Sequence, residues 1–325
     1  MANQYTGTAT AGDVVGIPGN ILTVFVNDLL LSAMPVMRYD QFAVVRRDLS
    51  VSPGGTITFS KYNNLTLGGA LSEDADLETK SMSKTTVSIS VTEYGNAVGL
   101  TQKFMTLSFM DELQTASILL GRDYAVVTDS MLRDALFSGS QLILANNKAN
   151  KWSIAASDTL SLADIDKAVE LLATQNALKY VDANGEYFAS FIHPHVAASI
   201  KNALISVRQY AYPELIFKGE VGEYNGVRFI ETTNVPNGAA APTAPGYDLT
   251  LTAGYDNGGG NTNQVALYKS AIFGQNAYGW AIALDVELRE DPGYSKFGRK
   301  RGLAWYAIMG AGKIVDENIV VIISA

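Results

Sequence analysis

The sequence predicts an α+β fold. Stretches of two-residue alternation lie towards both ends, two N-capped helical stretches lie between them, and no internal repeat of roughly 20–50 residues is apparent. The 325 residues, 47% of them apolar, suffice for a sizeable core. At ~150 residues per domain they allow two domains, or one core with large excursions.

The elements follow in order. Residues 1–20 are rich in Gly, Thr, Ala and Asn, with Asp13 their single charge. Such a segment buries too little surface to offset its own ordering entropy, so it is a loose terminus or an arm that orders on a neighbour. Ile21–Met37 is apolar enough to dock. In Gly55–Tyr62, Ile57 and Phe59 alternate with Thr56, Thr58 and Ser60; further on, Val87, Ile89 and Val91 alternate with Thr86, Ser88, Ser90 and Thr92. Both stretches read as strands. Beyond Gly95 the apolar set moves to Val98 and Leu100, the slip expected of a β-bulge. The linking segment Asn63–Lys84 is long for a compact domain, and reads as a solvated loop or as a hairpin whose tip reaches another molecule.

Ser108 and Asp111 form a capping-box pattern and Gly139 a stop, predicting a helix over 109–138 with Leu120, Tyr124, Val127, Met131 and Ala135 as its apolar stripe. Unbroken at Gly121, it would span about 45 Å at ~1.5 Å per residue. Ser161 and Asp164 open a second helix through Ile165, Val169 and Leu172. Tyr180–Ser190 reads as a hairpin turning at Asp182-Ala183-Asn184-Gly185, and Pro194 suits the first position of a helix capped near His193 and ending about Leu204. Val227–Thr232 is a strand, residues 237–263 a Gly-rich insertion, and Trp280–Arg289 a clean half-buried strand. Leu303–Met309 and Ile314–Ile323 close the chain as core strands.

The chemistry is sparse. With 24 basic against 32 acidic residues the net charge is −8, which disfavours holding nucleic acid by neutralising phosphates. The absence of cysteine excludes disulfides, thiolate zinc sites, iron–sulfur clusters and cysteine nucleophiles. The two histidines, His193 and His195, lack a third donor for a metal and read as a helix cap and a half-exposed neighbour. Gly310-Ala311-Gly312-Lys313 is followed by Ile314, so the hydroxyl of a phosphate loop is missing. The acidic run Glu73, Asp74, Asp76 and Glu78 lacks the glycine and distal glutamate of a calcium loop. Lys296, Arg299, Lys300 and Arg301 form the one dense basic cluster; in an acidic chain, pairing with acids on a neighbour suits it better than phosphate contact. No catalytic, cofactor or metal site emerges. Arg38 is the first basic residue, and Ile21–Met37 is interrupted by Asn27 and Asp28 and falls short of the ~20 residues of a membrane span. The expectation is a soluble protein of a reducing compartment, without a cleaved signal or a membrane partner.

The order of parts and a series of short motifs resemble the major capsid proteins of tailed bacteriophages with the HK-97-type fold, and more narrowly the coliphage N-four-type subfamily. The motifs are Arg46-Arg47-Asp48-Leu49, Gly55-Thr56-Ile57-Thr58-Phe59 with Tyr62, Gly69-Ala70-Leu71-x-Glu73, and Glu93-Tyr94-Gly95-Asn96-Ala97-Val98. Leu120-Gly121-Arg122-Asp123 with Asp129 and Leu136, Phe191-Ile192-His193-Pro194, and Gly219-x-x-Gly222-x-x-x-Gly226-Val227-Arg228-Phe229-Ile230 follow. Their sequential agreement, over nearly the whole chain, carries the likeness.

The resemblance implies an N-terminal arm over 1–50, an extended β-hairpin loop over 51–101, and a peripheral domain over 102–189 with its spine helix in Ser108–Gly139. An axial domain over 190–273 and returning strands over 274–325 complete it. It implies a subunit that assembles into hexamers and pentamers of an icosahedral shell around double-stranded DNA, in the virion after assembly in host cytoplasm. Portal and possibly scaffolding or decoration proteins would be its partners. Ile57, Phe59, Tyr62, Glu73, Asp74, Asp76, Glu78, Lys296, Arg299, Lys300 and Arg301 are the candidate inter-subunit contacts. The competing readings are a nanocompartment shell of the same fold and a soluble α/β hydrolase or carbohydrate-processing enzyme using acidic pairs such as Asp182 and Glu186. An enzyme would elute as a small oligomer and a shell protein as capsomers or particles.

Overall fold

The computed structural model describes residues 37–47, 55–62, 65, 79–108, 112–150, 153–182, 185–201, 223–236, 267–291 and 299–325. Four strands lead in: β1 (Val44–Arg46), β2 (Thr56–Tyr62), β3 (Lys84–Ser90) and β4 (Thr92–Thr101). Helices α1 (Gln102–Leu107) and α2 (Glu112–Phe137) follow, then β5 (Gln141–Leu144) and α3 (Leu162–Thr174). Next come β6 (Tyr180–Asp182), β7 (Gly185–Ile192), β8 (Glu223–Tyr224) and β9 (Val227–Glu231). The chain ends with β10 (Tyr268–Phe273), β11 (Tyr278–Asp291), β12 (Lys300–Lys313) and β13 (Ile319–Ser324).

Two sheets organise the body. A four-stranded sheet runs β1-β11-β12-β4, and α2 packs on its β4, β11 and β12 strands. A larger sheet runs β5-β13-β10-β7-β9-β8, with β6 paired to β7. Both faces of this second sheet are covered. Odd-numbered Ala189, Phe191, Ala271, Phe273, Ile319 and Val321 join the core shared with α2, while even-numbered Phe188, Ile192, Ile272, Val320 and Ile322 join Ile165, Ala168 and Leu172 of α3. Strand β13 is therefore apolar without alternation, as a strand buried on two faces must be.

The helices follow their predicted signals. Ser161 and Asp164 make both hydrogen bonds of the capping box on α3. Pro194 opens the helical segment 194–201, where Ala197 N–H donates to His193 O over 2.9 Å and His193 Nδ1 accepts from His195 N–H over 3.2 Å. Helix α2 runs unbroken through Gly121, which is buried. Asp111 lies outside the described residues; Ser108 instead donates from its hydroxyl to Glu112 Oε1 and ends α1. Gly139 lies just past the end of α2 but not in the left-handed conformation of a glycine stop; packing requires it, since a Cβ there would lie 2.6 Å from Ile319 Cγ2.

Three expectations are corrected. The slip in alternation is not a bulge at Gly95, because β4 keeps register with β12 from Thr92↔Met309 to Thr101↔Lys300. It falls at Val91, where the chain leaves its pairing with β2 and enters the four-stranded sheet. Strand β11 is buried on both faces over Tyr278–Ile282 and carries register shifts at Ile282/Leu284 and Leu284/Glu287, so its alternation is not clean. Ile314–Ile323 is not one strand, because a 3-10 turn at Asp316–Asn318 separates β12 from β13. Strand β7 runs across residue 190, and β5 and β13 lie in the same sheet as β10. The arm over 1–36, the hairpin tip over 66–78 and the insertion 237–263 lie outside the described residues.

Candidate assembly surfaces

Strands β2 and β3 pair antiparallel from Thr56↔Ser90 to Tyr62↔Lys84 as a separate two-stranded ribbon. One face of its root is apolar and closes on the body: Ile57, Phe59 and Ile89 are buried with Ala281, against Val44, Val91 and Ile314. Two glycines make this contact possible. A Cβ at Gly279 would lie 2.8 Å from Phe59 Cζ, and one at Gly312 would lie 3.0 Å from Ile89 Cγ1. Ile57 and Phe59, expected to reach a neighbour, thus anchor the hairpin on its own subunit; period-two alternation identifies a buried face without saying whose body buries it. Arg46 sits over the Phe59 ring at 5.3 Å, and its guanidinium donates to Thr58 O over 3.3 Å. A cleft of about 530 Å³ opens at this root, lined in part by Val44, Arg46, Phe59, Asn176 and Ile314.

Beyond the root the described residues are exposed. Tyr62, Leu65 and Met82 are 63%, 56% and 71% exposed, with Lys84 Nζ 6.0 Å from the Tyr62 ring centroid. Glu73, Asp74, Asp76 and Glu78 lie outside the described residues, as does Lys296. Arg299, Lys300 and Arg301 stand at the start of β12, where Arg299 O accepts from Gln102 N–H over 2.9 Å at the beginning of α1. Arg299 and Arg301 are exposed there, beside exposed Lys103.

The residues that fix these surfaces relative to one another were not singled out as sites from the sequence. Asp129, buried in α2, accepts from Arg38 N–H (2.7 Å), Tyr39 N–H (3.0 Å) and Asn234 Nδ2 (2.7 Å). Arg133, one turn on, bonds Asn234 Oδ1 and Asp134. Tyr39 donates to Asn234 O and accepts at its carbonyl from the Tyr278 hydroxyl, whose phenol burial pushes well above its ordinary pKa. Asp40 beside it is also raised, by burial and by the charge of Asp129. Asp123 ties α2 to the four-stranded sheet by accepting from Trp305 Nε1 (2.8 Å) and Asn96 Nδ2 (3.0 Å). The available signal was polar residues on the buried stripe of a helix: Asp129 and Arg133 sit four apart among Tyr124, Ala125, Leu132 and Leu136.

The residues weighed for an enzyme and those weighed for a metal lie apart in the described structure. Asp182 is ion-paired with Arg228 over 3.0 Å, and Glu186 is exposed opposite Val181. His193 and His195 both stack on Tyr268, at 4.6 and 5.1 Å between centroids. Burial and His195 lower the His193 pKa, which favours the neutral ring that caps its helix. No group of three metal-ligating side chains occurs among the described residues. No helix among them is long and apolar enough to cross a membrane.

Against known proteins, the family model for phage capsid protein matches residues 84–317. The chain belongs to the phage capsid protein family. Solved capsid structures share its fold at low identity. The capsid of Cyanophage P-SCSP1u matches with a TM-score of 0.67 at 14% identity, covering 100% of this chain and 96% of that one. Cyanophage Pam1 gives 0.66 at 15%, covering 100% and 99%, and Ralstonia phage GP4 gives 0.63 at 15%, covering 89% and 87%. No curated protein matches the sequence. The HK-97-type α+β reading therefore holds. The capsid protein is a structural subunit that associates with copies of itself, and its place is the capsid.

Proposed function

We propose that this capsid protein is the major shell subunit of a tailed phage, forming hexamers and pentamers that close an icosahedral particle around double-stranded DNA. One observation carries the mechanism: the hairpin is rooted in its own subunit by Ile57, Phe59 and Ile89, while Tyr62, Leu65 and Met82 beyond the root remain exposed. Apolar side chains on a rigidly rooted projection suit burial on a second copy. The acids Glu73, Asp74, Asp76 and Glu78 of the linking segment, and the basic residues Lys296, Arg299, Lys300 and Arg301, add complementary charge between subunits. The arm over 1–50, the loop over 51–101, the peripheral domain with α2 as spine, and the axial domain keep the roles given above. A net charge of −8 suits a wall that encloses DNA without gripping it. Portal, scaffolding or decoration partners act on the assembled shell, and assembly takes place in host cytoplasm without catalysis by this chain.

Negative-stain microscopy and sedimentation of the expressed chain test this reading. Closed particles or capsomers are expected, and Tyr62→Asp with Met82→Asp is expected to leave folded subunits that do not close. A small, discrete oligomer at high concentration overturns the proposal.

A further inference from the structure

Helix α2 carries an apolar stripe on its outer face as well as on its inner one. Leu119 and Val126, seven residues apart and so on one side, are 55% and 52% exposed, with Ile118 flanking them at 39%. Arg122 stands between them and is the one charged residue among the exposed positions of that face. The first described residue is Met37, and the next two backbone N–H groups are held by Asp129, three residues past Val126 on this same helix. The described chain therefore begins at the flank of α2.

The preceding sequence matches the stripe. Residues 21–36 contain one charge, Asp28, and place Leu22, Phe25, Val26 and Leu29 at steps of three and four. Ten residues of helix separate 129 from 119, about 15 Å at 1.5 Å per residue. Sixteen residues span that distance even if wholly helical, at about 24 Å. A segment tethered beside its target is present at roughly millimolar effective concentration.

We propose that residues 21–36 cover the outer stripe of α2 in the same copy, with Asp28 meeting Arg122. This rests on the shell reading only in leaving residues 1–20 to reach a neighbour from the far end of α2. It gives the exposed face of the spine helix an occupant from the same chain.

The chain has no cysteine, so introduced pairs report without background. Leu119→Cys is combined in turn with Leu22→Cys, Phe25→Cys, Val26→Cys and Leu29→Cys in the full chain and oxidised at high dilution. Disulfides require Cα atoms within about 7 Å. At least one pair is expected to close an intrachain loop, seen as faster migration on a denaturing gel. A dimer-sized product places a sister copy's arm on the stripe and overturns the proposal; absence of any crosslink overturns it too. Arg122→Glu is expected to raise the rate of proteolysis within 21–36 about threefold, and added Asp28→Lys to restore it. An unchanged rate, or no rescue, refutes the pairing. Microscopy of the same samples reads shell closure separately, so failure of this docking and failure of the shell proposal are distinguishable.

Discussion

Asp129→Ala is the sharpest test of how the segment at Arg38 and Tyr39, helix α2 and the second sheet are joined. The buried carboxylate accepts three hydrogen bonds, from two backbone N–H groups at Arg38 and Tyr39 and from the Asn234 amide. A hydrogen bond to a charged group contributes about 1.5–3 kcal/mol net, and removing the acceptor strands its donors. Water admitted from the exposed Arg38 side recovers part of this, so the expected loss is about 4 kcal/mol. Asp129→Asn keeps the volume and one acceptor oxygen but turns an NH2 towards a donor, for an expected loss of about 2 kcal/mol. Urea unfolding, followed by the fluorescence of buried Trp280 and Trp305, measures both against Glu170→Ala on the exposed face of α3. If Asp129→Ala lies within about 1 kcal/mol of the unaltered chain, the clamp is not what holds that segment.

Three further outcomes follow from the same geometry. Gly310→Ala would set a Cβ 2.1 Å from Ser90 O, whereas Gly99→Ala meets nothing within 4 Å; the first is expected to lower the melting temperature by several degrees and loosen the hairpin root in hydrogen exchange, the second to do neither. Burial alone would raise the Asp316 carboxyl, but hydrogen bonds from Ser140 and the Lys313 ammonium outweigh it and hold the pKa low; N–H donation from Ala155, then Asn146, lowers that of Asp158. Because both folded values lie below the ordinary 3.8, their stabilisation is complete above that pH and fades as pH falls towards the folded values, so Asp316→Asn should cost stability at pH 7 and little near pH 2 in thermal melts. Removal of residues 1–37 is expected to leave a folded subunit that forms no closed shells; normal particles by microscopy would refute it.

Signals confined to a few neighbouring residues were legible in the sequence. Ser161 with Asp164, and His193 with Pro194, are caps whose partners lie within a turn, and alternation in 56–62 and 84–90 marks a strand pair locally. What depends on distant chain was not. Nothing near Val91 says that its next residues pair with β12, more than two hundred positions on, so in the sequence the change of sheet has the look of a bulge at the nearest glycine. Asn234 lies 105 residues from the Asp129 it bonds. Gly279 and Gly312 lie within strands, and only the packed hairpin shows that their missing side chains make room for Phe59 and Ile89.

That same packing bears on how a weak contact becomes a useful one. A projection that had to order itself on meeting a neighbour would lose about 1–2 kcal/mol of backbone entropy per residue fixed at that moment. Here the seven paired positions from Thr56↔Ser90 to Tyr62↔Lys84 are already formed, with their inner face buried on Ala281, Gly279 and Gly312. The ordering cost of the root is met during folding of the subunit, by apolar burial inside one chain. A contact made further out by Tyr62 or Met82 is thereby relieved of it. On the shell reading proposed above, Ile57 and Phe59 act on assembly through the root they bury, and Phe59→Ala should weaken association more than its place inside one subunit suggests.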